Sequence, residues 1–171
     1  MALFPPLDAS PEEVREALRP LRNDFSVALH TAGNAFAVGA IIRVAHSFLV
    51  REIILIGGAP YYEKASMGME KYETIVAVPD DEAFFAHVAG RPVWAVEKDH
   101  ARRSLYDVHA FPRGVVLAFG SERAGLAPEF IARADEIIAI PMYGVNHSFP
   151  LAIAAGIVMN EWARQHYSTR A

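Results

Sequence analysis

Apolar residues recur along the chain with two different periods, and the switching between them predicts alternating helices and strands. Ser10-Pro11-Glu12-Glu13 combines a capping serine, a proline at the first helical position and a glutamate at the third. A short amphipathic helix is therefore expected to about Leu18, ending before Pro20. Residues 24–30 (DFSVALH) read as a strand, 31–36 as a loop carrying Gly33 and Asn34, and 37–50 as a helix. In that helix Ile41, Ile42, Ala45 and Leu49 fall near helical spacing. Residues 51–57 (REIILIG) read as a buried strand, 61–72 as irregular and 74–78 as a short strand. Asp80 can cap a helix to Val88. Strands are expected at 92–96, 114–120 and 136–141, with a short helix over 128–134. A long helix is expected from Ser148 to about Gln165. Continuous apolar strands alternating with helices indicate an α/β fold, a parallel sheet with helices on both faces. Residues 1–171 read as one domain in which 1–22 form a short helical extension, with no internal repeat or low-complexity linker.

Composition narrows the function classes. Hydrophobic residues make up 53% of the 171 and charged residues 21%, enough for a sizeable core. A net charge of −4 argues against coating nucleic acid by charge alone, while leaving room for a local basic patch. The chain has no cysteine, which excludes disulfides, thiolate catalysis and cysteine-ligated metals and fits a reducing compartment. The opening MALFPPLDASPEE has no basic segment followed by an apolar run, so no signal peptide is expected. The longest apolar stretch, Phe149 to Met159, is short of the roughly 20 residues that span a bilayer. A cytoplasmic protein with no membrane partner is the expectation. The seven histidines include no HExxH-like pair, so no metal site is expected.

Three glycine loops follow strands: Gly57-Gly58, Gly120-Ser121-Glu122-Arg123-Ala124-Gly125, and Met142-Tyr143-Gly144. Ligands in open α/β sheets sit beyond the carboxyl ends of strands, and glycine lets backbone approach them closely. Taken singly, each loop reads more readily as an ordinary turn than as a ligand site. FGSERAGL lacks the lysine and spacing of a phosphate-binding Walker loop, and no GxGxxG follows the first strand.

Three stretches, in order, resemble the motifs of the SpoU branch of the SPOUT RNA methyltransferases. They are residues 38–45 (VGAIIRVA), residues 117–126 (LAFGSERAGL), and Ile140-Pro141-Met142 leading to residues 148–158 (SFPLAIAAGIV). The resemblance runs from about Phe25 to Arg164. It implies a parallel α/β sheet with a C-terminal trefoil knot, S-adenosylmethionine as cofactor, and methylation of a ribose 2′-hydroxyl in tRNA or rRNA. It also implies a homodimer using the C-terminal helix. Leu151, Ala155, Val158, Met159 and Trp162 lie on one side of that helix, while Ile153, Gly156 and Ile157 face elsewhere and are also apolar. A helix apolar on most sides needs two partners.

By position, Arg43 matches the arginine proposed to activate the hydroxyl, and Glu122 the glutamate that organises the site. Val96, Phe119, Gly120, Ser121, Gly125, Ile140, Met142, Ser148 and Leu151 fall in the cofactor-binding segments. Arg43 with Lys98, Arg102 and Arg103 of the basic loop KDHARR are candidate RNA contacts, as are Lys64, Lys71, Tyr61, Tyr62 and Tyr143. Arg43 alone would also read as a surface salt bridge, and the basic loop as a solvated one. This chain has Ala37 where the family usually has asparagine, and Pro150 and Ala152 where its third motif often has asparagine and serine, with Asn34, Asn146 and His147 close in sequence as candidate substitutes. These departures keep two other readings open: a knot protein that binds cofactor or RNA without 2′-O transfer, and an enzyme of this fold methylating a different RNA atom.

Overall fold

A computed structural model describes residues 8–166; residues 1–7, the start of the segment in which no signal peptide is expected, and residues 167–171 lie outside the described residues. The strands are β1 Ser26–His30, β2 Ile53–Ile56, β3 Ile75–Val78, β4 Val93–Val96, β5 Arg103–Ser104, β6 Val116–Phe119 and β7 Glu136–Ala139. They form one sheet in the order β3-β2-β1-β6-β4-β7-β5. Every pairing in it is parallel. The helices are α1 Pro11–Leu18, α2 Ala35–Ser47, α3 Asp81–His87, α4 Pro128–Arg133 and α5 Leu151–His166.

The central strands β2 and β6 are apolar on both faces because helices cover both. Val27, Leu29, Ile53, Leu55, Leu117 and Phe119 pack with Ile41, Ile42 and Ala45 of α2 and Ala155, Val158, Met159 and Trp162 of α5. Phe25 stacks on Trp162 with ring centroids 4.2 Å apart. On the other face Ala28, Ile54, Ile56, Ala95, Val116 and Ala118 pack with Phe84 of α3 and Phe130 and Ile131 of α4. A one-residue slip of any strand would exchange these two sets, so the register is strongly specified. The apolar stripe of α5 thus lies within its own domain, and Ile153 on another side of the helix is half-exposed.

Element ends follow local chemistry. Ser10 Oγ accepts the Glu13 amide at 3.3 Å, and Glu13 returns the bond by accepting the Ser10 amide at 2.8 Å. Helix α2 begins two residues earlier than the apolar period predicts, because the Asn34 side chain caps it by accepting the Ala37 amide at 2.9 Å. It ends before the predicted Val50, since Leu49 takes φ +46°. Asn23 stabilises that turn, its backbone amide donating to Leu49 O at 2.8 Å and its side chain to Phe48 O at 2.5 Å. Helix α5 begins at Leu151, three residues after the predicted start. Pro150 disfavours helical geometry at Phe149, while its own carbonyl accepts from Ile153 and Ala154 at 2.9 and 3.0 Å. The segment expected to be a basic loop ends instead in the edge strand β5, whose Arg103 pairs in register with Ile138.

Residues 61–72 hold two 3-10 turns, Glu63–Ser66 and Met69–Lys71. The first lies hard against α2. A Cβ at Gly39 would sit 2.4 Å from Tyr62 O and 2.9 Å from Ala65 Cβ, so the glycine of the first motif is a packing glycine.

Candidate functional site

The register of β4, β6 and β7 brings the site together. Val96 pairs with both Phe119 and Ile138, so the residues that follow leave the sheet side by side. Beyond Phe119 the chain closes a tight loop. Ser121 and Gly125 exchange backbone hydrogen bonds at 3.1 and 2.9 Å, and Ser121 Oγ accepts the Ala124 amide at 3.2 Å. Such a loop needs glycine at its base. A Cβ on Gly120 would lie 2.1 Å from the Gly125 carbonyl carbon, and Gly125 itself has φ +64°.

Two carboxylates hold this loop to its neighbours. Glu97 accepts the Lys98 amide at 2.8 Å through one oxygen and the Leu126 amide at 3.4 Å through the other. Glu122 accepts the Leu151 amide, at the start of α5, at 3.1 Å. Its other oxygen accepts a hydrogen bond from the Asn34 side chain. Glu122 therefore joins the starts of α2 and α5, and the backbone group it uses on α5 is the one just past Pro150. The neighbouring loop is tied across the site by Lys98 Nζ, which donates to His147 O at 2.9 Å.

Between these loops lies a cavity of about 320 Å³, at the lower end of the roughly 300–1,000 Å³ usual for small-molecule sites. Val96, Phe119, Gly120, Ser121, Gly125, Ile140, Met142, Ser148 and Leu151 all line it, as do Glu122 and Lys98. Arg43 does not: it is exposed on α2, outside the lining residues. Arg103 is engaged with Glu136 at 3.0 Å, and Arg102 forms no ion pair among the described residues. Sequence reasoning missed Glu97 and Arg123 in the lining and the contact of Asn34 with Glu122, while His147, one of the candidate substitutes, does line the cavity. An acidic residue directly after a buried strand was a usable signal for Glu97. Nothing local signals a contact between residues 88 positions apart. Among the described residues no group of three or more histidines and carboxylates could hold a metal ion, and no helix is long and apolar enough to cross a membrane.

A parallel α/β sheet with a carboxyl-end crevice lined by bare glycine loops defines a class of proteins that bind nucleotide-like ligands through backbone. Residues 24–160 match the SpoU rRNA Methylase family, and the chain belongs to it. It is 29% identical over 163 residues to a tRNA (guanosine(18)-2'-O)-methyltransferase of Thermus thermophilus, covering 92% of this chain and 84% of that one. It is 30% identical over 139 residues to a 23S rRNA (adenosine(1067)-2'-O)-methyltransferase of Streptomyces laurentii, covering 77% and 51%. Among solved structures it resembles the SpoU methyltransferase AviRb of Streptomyces viridochromogenes in complex with the cofactor AdoMet. That match has a TM-score of 0.75 at 27% identity, over 86% of this chain and 60% of the other.

Proposed function

We propose that the chain is an S-adenosylmethionine-dependent RNA methyltransferase acting on a ribose 2′-hydroxyl of tRNA or rRNA, in the cytoplasm and as a homodimer. The observation that carries this reading is the cavity at the ends of β4, β6 and β7, built on a glycine cradle that cannot accept a Cβ, in a chain of the SpoU family. The residues present suit the cofactor. Val96, Phe119, Ile140, Met142 and Leu151 give apolar walls for a flat base, and the peptide groups around Gly120 and Gly125 give donors and acceptors for its edge. Bound there, S-adenosylmethionine supplies a methyl group already activated on a sulfonium, so the protein has mainly to align the acceptor.

In this assignment Glu122 organises the site by fixing the start of α5 against α2. Arg43, exposed and outside the cavity, holds the acceptor strand, its planar guanidinium matching a phosphate and keeping the ribose hydroxyl in line. Arg102 is the member of the basic loop best suited to contact RNA, since Lys98 and Arg103 have partners within the domain. Residues 1–171 act as one methyltransferase domain, and the family's knot falls in the segment from β6 through α5. Half-exposed Ile153, with Tyr143 and Val145 exposed at 88% and 98%, supports a second copy as the cover for this end of the molecule.

The test is methyl transfer from labelled S-adenosylmethionine to total cellular RNA, followed by mass mapping of the nucleosides. Label in a 2′-O-methylnucleoside is expected. Arg43→Ala should lower turnover by roughly a hundredfold or more while leaving the cofactor dissociation constant unchanged. Label on a base nitrogen would replace the ribose assignment, and cofactor binding without transfer would favour a binding-only knot protein.

A further inference from the structure

Beside α2 the protein holds two large rings in water. Phe36 and Tyr62 are exposed at 63% and 48%. Their ring centroids are 6.2 Å apart and their planes lie within 22° of each other. Their placement is built into the backbone. The Tyr62 amide donates to Ala35 O at 2.9 Å, and Gly39 allows the segment carrying Tyr62 to lie against α2. Phe36 precedes Arg43 by seven residues. The two therefore share the outer face of α2, about 10 Å apart along its axis. Asn34, two residues before Phe36, is the side chain that grips Glu122 of the cavity.

Two exposed cations flank the rings, Arg43 along the helix and Lys64 two residues after Tyr62, and neither forms an ion pair among the described residues. Exposed aromatic faces with unpaired cations nearby on the same elements suit single-stranded nucleic acid: the rings stack on bases and the cations meet phosphates. We propose that Phe36 and Tyr62 form a stacking platform for an unpaired nucleobase next to the nucleotide that is methylated. The inference rests on the RNA methyltransferase reading and adds that the target lies in a loop or other unpaired segment, since a base within a duplex has no free face.

The experiment uses the full chain, with Phe36→Ala, Tyr62→Ala, the double variant and Tyr62→Phe. Steady-state transfer to the RNA that the wild type methylates is measured beside cofactor calorimetry, sedimentation, and anisotropy with labelled single-stranded and duplex RNA. Each alanine should raise the KM for RNA by roughly tenfold with kcat and cofactor affinity little changed, and Tyr62→Phe should restore it. The double variant should lose the wild type's preference for single-stranded over duplex RNA. An unchanged KM and unchanged strand preference would overturn the platform. So would variants that sediment as monomers where the wild type is a dimer, because the face would then belong to a second copy. Failure of the underlying reading shows separately, as wild-type protein that labels no RNA, while the anisotropy arm still decides the platform.

Discussion

At the amino ends of the strands, charged side chains are largely buried against one another; at the carboxyl ends of β4, β6 and β7, carboxylates accept mainly from backbone and a glycine loop forms one side of an open cavity. Before β3, the fully buried Glu73 side chain is held by Arg22 and by His46, each at 2.7 Å. Before β2, Glu52 is held by Arg91 at 2.5 Å and His87 at 3.0 Å, and Arg91 also donates to Ser26 at the start of β1. These groups clamp loops and helix ends to the sheet and leave little polar capacity unspent. At the other end Glu97 and Glu122 shape the loops while the glycine cradle faces a cavity. One end is closed by ion pairs and the other is kept open by backbone, so substitutions at the two ends should fail in different ways.

The largest effect is expected at the closed end. Arg91→Met leaves Glu52 facing His87 without its guanidinium, and removing one partner of a buried pair costs about 3 kcal/mol or more. Urea unfolding should register that loss, with cofactor affinity unchanged. The same pair predicts an acid dependence. Burial pushes the Glu52 carboxyl upward, but hydrogen bonds and charge from His87 and Arg91 together outweigh it and hold the group below the ordinary value of 4.5. A carboxyl lowered on folding adds stability that is present above 4.5 and lost as pH falls through the lower folded value. Wild-type Tm should therefore drop across that acid window, and Arg91→Met should flatten the drop. A variant as stable as the wild type, or one that lost cofactor binding first, would erase the distinction between the two ends.

At the open end Gly120→Ala should act on binding. The new methyl would meet the Gly125 carbonyl carbon at 2.1 Å and the Leu126 nitrogen at 2.5 Å, both backbone atoms with little room to give. Displacing the cradle should weaken S-adenosylmethionine by roughly a hundredfold or more, about 2.7 kcal/mol, measured by calorimetry. Loss of affinity in a protein that still melts cooperatively would sharpen the contrast with Arg91→Met. Affinity within threefold of wild type would mean that the cofactor does not rest on this loop.

The sheet and the helix caps were the more legible parts of the sequence, whereas the ion pairs of the closed end join residues far apart in the chain and gave no local signal. IILI and VLAF are apolar without alternation because both faces are covered, so a parallel sheet could be read from them directly. The capping box at Ser10 and the Asp80 cap are short-range signals and fall where their chemistry puts them. Strand β5 escaped because Arg103-Ser104 is polar and becomes a strand only by pairing with β7. Motif matching led to residues that the structure brings to one cavity, since those motifs sit at strand ends. It offered Asn34 among the candidate substitutes for the missing asparagine at position 37, but it could not place Arg43 outside that cavity or find the contact of Asn34 with Glu122, because both depend on how α2 lies against loops far along the chain.

Asn34 tests that last point and carries the smallest expected effect. It does two things at once: its carbonyl oxygen caps α2 through the Ala37 amide, and its amide nitrogen donates to Glu122. Asn34→Ala removes both. Loss of the cap should cost about 1 kcal/mol, a Tm shift of roughly 2–4 °C for a chain this size. Loss of the donor should leave Glu122 held only by the Leu151 amide and lower turnover by roughly tenfold, with cofactor affinity nearly unchanged. Asn34→Asp separates the two roles. Aspartate caps a helix as well as asparagine does, so stability should be largely kept. It cannot donate, and it sets a second negative charge against Glu122, so turnover should fall at least as far as in the alanine variant. Thermal melting paired with single-turnover transfer resolves the split. Wild-type turnover in Asn34→Asp would make Asn34 a helix cap and nothing more, and would leave Glu122 to be positioned from α5 alone.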